Sequence, residues 1–191
     1  MAIETGNLVR LLDIDSDFII DLRYATPDNF TGQRIYDFDE CYIDRNTAHL
    51  LIKARDKFKA LGFRVKVWDA YRPLRAQRRF WEIMPDPNYI AEPPVITNET
   101  KYRPTHMNGL CVDITLTDLY GKEIDMPSGY DDFTGAARLD CPSAGARQKS
   151  NATLLKDIME SAGFMGYEDE WWHFYDVTSP VTPFSDYLLK D

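Results

Sequence analysis

The chain has 191 residues, 44% of them hydrophobic and 13% aromatic, which is enough to bury a full core in one domain without covalent staples and excludes a disordered chain. Its 31 acidic against 22 basic residues give a formal charge of −9, arguing against nucleic acid or an anionic membrane as partner. Three cysteines make no disulfide framework, the N-terminus Met-Ala-Ile-Glu-Thr-Gly-Asn has neither a basic nor an apolar leader region, and no stretch reaches the ~18 apolar residues of a membrane span. The expected location is the cytoplasm.

In chain order, residues 8–12 and 18–22 read as two short strands joined by the acidic turn Asp13-Ile14-Asp15-Ser16-Asp17. A loop follows through Pro27 and Gly32, where Asn29 and Thr31 are suited to bonding their own backbone. The clearest helix covers 46–61: Leu51, Ala54, Phe58 and Leu61 share a face, Asn46 or Thr47 serves as N-cap, and Gly62 ends it. His49, in its first turn, reads as a surface residue rather than a ligand.

Residues 63–69 alternate with period two as a strand, and Pro73 starts a helix over 74–83. Arg72 stands at that strand's end, where a fixed guanidinium reaches a cleft or forms an ion pair with Asp69; residue types alone leave the two readings equal. Five prolines between 85 and 104 make that stretch a surface loop.

After Asn108-Gly109 the segment 110–116 alternates as a strand, with Val112, Ile114 and Leu116 on one side and Cys111, Asp113 and Thr115 on the other. His106 lies an odd number of residues from Asp113, so an extended chain separates them, and the turn at Asn108-Gly109 is what lets both point one way. Residues 120–147 are polar and loop-rich, carrying Asp131, Asp132 and Asp140. A helix over 149–161 ends at Gly163; a final hairpin brings back the aromatic strand Trp171-Trp172-His173-Phe174-Tyr175, and the tail with Pro180 and Pro183 lies on the surface.

Two histidines, His106 and His173, and one carboxylate, Asp113, make up the donor set of hydrolytic zinc sites, and Glu170 is the spare carboxylate that such a site uses as a base. A regular strand sends Glu170 and His173 to opposite faces, so Glu170 must occupy the preceding turn or a bulge. Cys111 shares a face with Asp113 and is a rival ligand, although a buried cysteine more often packs as a small apolar residue.

The runs His-x-x-Gly-x-x-x-Asp at 106–113, Glu-x-x-His at 170–173, Asp-x-Tyr-Arg-Pro at 69–73 and Asp-Leu-Arg-Tyr-Ala-Thr…Asn-Phe-Thr-Gly at 21–32 together resemble the D-alanyl-D-alanine dipeptidases, the VanX-type members of the M15 zinc D,D-peptidases. The resemblance implies one zinc per chain on His106, Asp113 and His173, with Glu170 as base and Arg72 beside the transition state. It also implies a small D,D-dipeptide substrate whose ammonium meets Asp131, with Tyr24 in the pocket. Two positions depart from the family pattern: Pro104 stands where a serine is usual, and Cys111 where a small residue is usual. The fold implied is a single α+β domain over 1–191, hedgehog/D,D-peptidase-like, with a central antiparallel sheet and helices on one face. The alternatives are a D,D-carboxypeptidase or endopeptidase acting on peptidoglycan stems, and a zinc-stabilised module without catalysis; the oligomeric state stays open.

Overall fold

Strand pairing sets the frame of this protein, whose computed structural model describes residues 7–186. The first six residues, read above for a leader, and the last five lie outside that range. The elements follow as β1 (Leu8–Arg10), α1 (Leu11–Ile14), β2 (Ile19–Ile20), β3 (Tyr42–Asp44), α2 (Arg45–Ala60), β4 (Arg64–Asp69), α3 (Leu74–Ile83), β5 (Cys111–Thr117), α4 (Ala146–Ala162), β6 (Phe164–Tyr167) and β7 (Glu170–Asp176). A five-stranded sheet runs in the order β2-β4-β5-β7-β6, and β1 and β3 form a separate antiparallel ribbon. All neighbours in the large sheet are antiparallel except the short edge strand β2, which runs parallel to β4. The architecture is α+β, and no helix among the described residues is long and apolar enough to cross a membrane.

The alternation in β5 divides its side chains as the sequence predicts. Val112, Ile114 and Leu116 join the hydrophobic core with Leu51, Ala54 and Phe58 of α2 and Leu155 and Met159 of α4. α2 and α4 pack on each other and on the sheet. α3 instead sends Phe80 against Tyr24 and Phe30 at the end of the sheet, beside the strand ends that carry the polar residues.

Two local expectations change. Strand pairing stops at Arg10, because Leu11 turns into α1 and is fully buried, its N–H donating to Cys41 O at 2.8 Å. The two early strands therefore pair with different partners, β3 and β4, and not with each other. The cap of α2 is Asp44, whose Oδ1 accepts from the N–H groups of Asn46 and Thr47 at 2.8 and 3.4 Å. Thr47 is diverted by a buried bond to Asp176 Oδ2 at 2.7 Å.

In the tail Pro180 and Pro183 are exposed, as expected, while Thr182, Phe184, Ser185 and Asp186 lie half-buried along the start of α3 and the His106 turn. Ser185 N–H donates to Met107 O at 3.1 Å, Leu74 N–H donates to Ser185 O at 3.0 Å, and Asn108 donates to Thr182 O at 2.9 Å. Backbone groups that would otherwise lose water are satisfied by this strap.

Candidate active site

Register explains why the polar residues meet. Across β4, β5 and β7, Asp69 pairs with Asp113 and Asp113 with His173, so three adjacent strands carry these side chains in one row. A register shift between Val67 and Asp69 re-aims the end of β4 at that row.

His106 arrives from outside the sheet. It opens a short 3₁₀ turn, His106–Asn108, capped by the Thr105 hydroxyl and closed by Gly109 at φ 72. A Cβ at Gly109 would stand 2.8 Å from Asp44 N, so both the left-handed backbone and the close approach require glycine. The turn swings the His106 ring back over the sheet. Glu170 begins β7, where the β6–β7 register shifts between Gly166 and Tyr167, and its Oε2 lies 3.9 Å from His173 Nδ1. The bulge required for Glu170 and His173 to share a side is present.

The three donors are close enough for one ion. His106 Nδ1–H donates to Ala70 O at 2.7 Å, which leaves the Nε2 lone pair free to coordinate. Nε2 lies 3.1 Å from His173 Nδ1 and 3.3 Å from Asp113 Oδ1, while Asp113 Oδ1 and His173 Nδ1 are 2.8 Å apart. Tetrahedral bonds of ~2.0–2.1 Å place ligand atoms ~3.3 Å apart, so this nearly closed triangle fits zinc after a small expansion. Among the described residues, no other group of three histidine, cysteine or acidic side chains converges in this way. Burial works against the Asp113 charge, but the two imidazoles outweigh it and hold the carboxyl far below its usual range.

Cys111 and His49 stay out of this cluster. Cys111 is fully buried, and burial pushes its thiol well above the usual value; His49 is exposed on α2.

A cleft of about 700 Å³ opens over the row, lined among others by Tyr24, Arg72, His106, Asp113, Asp131, Glu170 and His173. Pro104, Tyr102's neighbour Phe184 and the 85–104 loop contribute to its wall. Both readings of Arg72 hold at once. Its Nε and Nη2 donate to Asp69 Oδ2 at 3.0 and 2.8 Å, Nη1 donates to Gln77 at 2.9 Å, and the guanidinium packs over the Tyr24 and Phe80 rings while still lining the cleft. Asp69, with no exposure, is held on its other oxygen by Tyr36 at 2.7 Å. The guanidinium is therefore fixed on several sides.

Asp131 adopts φ 55, uncommon for a residue with a side chain, and receives the Tyr24 hydroxyl at 3.0 and 3.2 Å. Burial raises its carboxyl to about 7 despite that bond. Asp132 is spent locally, its Oδ1 accepting from Thr134 N–H and hydroxyl at 2.8 and 2.5 Å. Glu170 is likewise raised to about 7 by burial. Its neighbours Glu168 and Asp169 are exposed, and Asp169 is paired with Arg138.

Sequence reasoning missed Tyr130. Its hydroxyl donates to Asp113 Oδ2 at 2.8 Å, and its ring lies against Trp68 and Trp172. The only signal was its place beside Asp131 in Gly-Tyr-Asp-Asp-Phe.

Comparison with known proteins gives the family. The family model for peptidase M15, described as D-ala-D-ala dipeptidase, matches residues 4–188. The D-alanyl-D-alanine dipeptidase of Escherichia coli (strain K12) is 35% identical over 171 residues, covering 90% of this chain and 85% of the relative. That of Enterococcus faecalis (strain ATCC 700802 / V583) is 32% identical over 174 residues, covering 84% and 86%. Among solved structures, the LdcB LD-carboxypeptidase superposes with a TM-score of 0.50 at 19% identity over 92% of this chain and 70% of that one, a likeness of fold. The family model and these relatives show that the chain belongs to the D-Ala-D-Ala dipeptidase family of M15 peptidases and is a hydrolytic metallopeptidase.

Proposed function

We propose that this protein, acting as one domain, hydrolyses the free dipeptide D-Ala-D-Ala to two D-alanines, with one zinc on His106, Asp113 and His173 and with Glu170 as general base. The observation that carries the reading is the place of Glu170. Its carboxylate faces the same cleft as the donor triangle, 3.9 Å from His173 Nδ1, and burial tunes it to about 7, near the value that best serves both halves of a proton shuttle at neutral pH. Zinc bound there supplies Lewis acidity, which polarises the scissile carbonyl and acidifies the attacking water.

The chain's own groups account for the remaining chemistry. Glu170 takes the proton from the attacking water and delivers it to the departing amine. The fixed guanidinium of Arg72 faces the oxyanion that develops on the substrate carbonyl, an interaction worth ~3–4 kcal/mol if it resembles an oxyanion-hole donor. Asp131, braced by Tyr24, meets the substrate ammonium and favours free dipeptides over chains in which that nitrogen is acylated. The three cysteines are buried and unpaired, in keeping with a reducing, cytoplasmic setting.

The test is release of D-alanine by purified protein carrying stoichiometric zinc, with D-Ala-D-Ala set against a pentapeptide ending in the same pair. Preference for the dipeptide supports the proposal. Preference for the pentapeptide replaces it with a D,D-carboxypeptidase, and zinc binding without turnover of either replaces it with a non-catalytic module.

A further inference from the structure

Asp113 has two carboxylate oxygens with different neighbours. Oδ1 faces the two imidazoles, while Oδ2 points away from them to the hydroxyl of Tyr130 at 2.8 Å. That hydroxyl is also 3.2 Å from the Tyr24 hydroxyl, which itself donates to Asp131. A phenol has one hydrogen. Between a carboxylate at 2.8 Å and a phenol oxygen at 3.2 Å, the shorter and charge-assisted bond takes it.

The Tyr130 ring has little freedom to carry that hydroxyl elsewhere. Ring centroids lie 4.8 Å from Trp68, 5.4 Å from Trp172 and 6.0 Å from Tyr24, so aromatic side chains from β4, β7 and the 23–25 turn surround it. Its backbone precedes Asp131, whose left-handed conformation turns the chain at this point. The loop thus delivers two neighbouring side chains to different ends of one polar line: Tyr130 under Asp113, Asp131 against Tyr24.

We propose that Tyr130 is a positioning residue for the metal centre: by holding Oδ2 of Asp113 it fixes the rotation of that carboxylate and presents Oδ1 alone to the ion. The inference rests on the zinc reading above. Without the hydroxyl, the Asp113 carboxylate is held through Oδ1 alone, and Oδ2 loses its one recorded partner among the described residues. Outer-shell partners of this kind typically change metal affinity by ~10–100-fold when removed. Tyr24 has a different task, since its hydrogen goes to Asp131 and not to the metal ligand.

The experiment titrates zinc into metal-free wild type, Tyr130→Phe and Tyr24→Phe against a chromogenic chelator, and records the unfolding midpoint of each metal-free protein. The expected result is zinc affinity ~10–100-fold weaker for Tyr130→Phe, beside a lowered metal-free midpoint because Oδ2 loses its partner, with Tyr24→Phe keeping wild-type zinc affinity and showing a raised KM for the dipeptide. Wild-type zinc affinity in Tyr130→Phe overturns the proposal, as does an equal loss in both variants, which places the effect in the aromatic cluster as a whole. A lowered metal-free midpoint in Tyr130→Phe with zinc affinity intact makes the hydroxyl merely structural and also overturns it. A wild type that takes up no zinc defeats the underlying metallopeptidase reading first, and is told apart from the other outcomes by that one titration.

Discussion

Arg72 donates its backbone N–H to the carbonyl of His106 at 3.0 Å, which ties the segment after β4 to the His106 turn. The same residue aims its side chain into the cleft, held by Asp69 and Gln77. Its replacement by lysine keeps a charge but loses the planar fork, the two bonds to Asp69 and the stacking on Tyr24 and Phe80. Arg72→Lys is expected to lower kcat by ~10²-fold or more, the usual effect of losing one oxyanion donor, with zinc content unchanged. Steady-state kinetics beside metal analysis checks this; a change in KM alone would move Arg72 from the transition state to ground-state binding. Arg72→Ala is the poorer probe, because it strands the buried Asp69 charge at a cost of ~3–5 kcal/mol in stability.

Glu170→Gln is expected to retain zinc and lose at least ~10²-fold in turnover, the range of general base catalysis. Glu168→Gln and Asp169→Asn are expected to be mild, since both side chains face solvent and the second is engaged by Arg138. A larger loss at Glu168 than at Glu170 would reassign the base.

Cys111→Ala is expected to keep zinc and most activity. The thiol is buried in packing beside the row, outside the donor triangle, and its removal costs on the order of 1 kcal/mol as a small cavity. Loss of stoichiometric zinc in this variant, measured by metal analysis, would make Cys111 a ligand.

A pH dependence follows from Asp131. Burial, opposed by the Tyr24 bond and Arg72 and reinforced by Asp113 and Asp69, keeps its carboxyl protonated up to about 7 in the free protein. A substrate ammonium needs the ionised form. KM for the free dipeptide is therefore expected to fall as pH rises through about 7, until the substrate amine itself loses its proton near ~8. Asp131→Asn should raise KM, flatten that limb, leave zinc content unchanged and narrow the gap between D-Ala-D-Ala and its N-acetyl derivative. A wild type that cuts both substrates equally well ends the assignment.

The sequence made these positions legible to different degrees. His106, Asp113 and His173 were legible as a set of donor types lying in motifs that resemble the family; alternation alone separates His106 from Asp113, and the turn closed by Gly109 is what brings them together. Glu170 was legible from its place three residues before His173, although a regular strand would separate the two; the register shift in the β6–β7 pairing removes that conflict. Asp44 was overlooked as a cap because it ends a strand, β3, whose pairing to β1 is a tertiary fact. Leu11 and Leu12 carry the apolar character of a strand, yet burial of Leu11 under the core turned them into a helical corner. Tyr130 had no periodicity to betray it: a tyrosine in a polar loop acquires its meaning only when the loop folds back under Asp113. The strand at 18–22 was legible, but its parallel pairing was hidden, because its partner β4 lies beyond β3 and α2.

The strap at 182–186 joins two parts of the chain that the sheet does not connect. Ser185 bonds both Met107 and Leu74, and Asn108 donates to Thr182 O. One short segment therefore spans the His106 turn and the first residue of α3, and its detachment would leave that turn with its own capping bonds and the bonds to Ala70, Arg72 and Asp44.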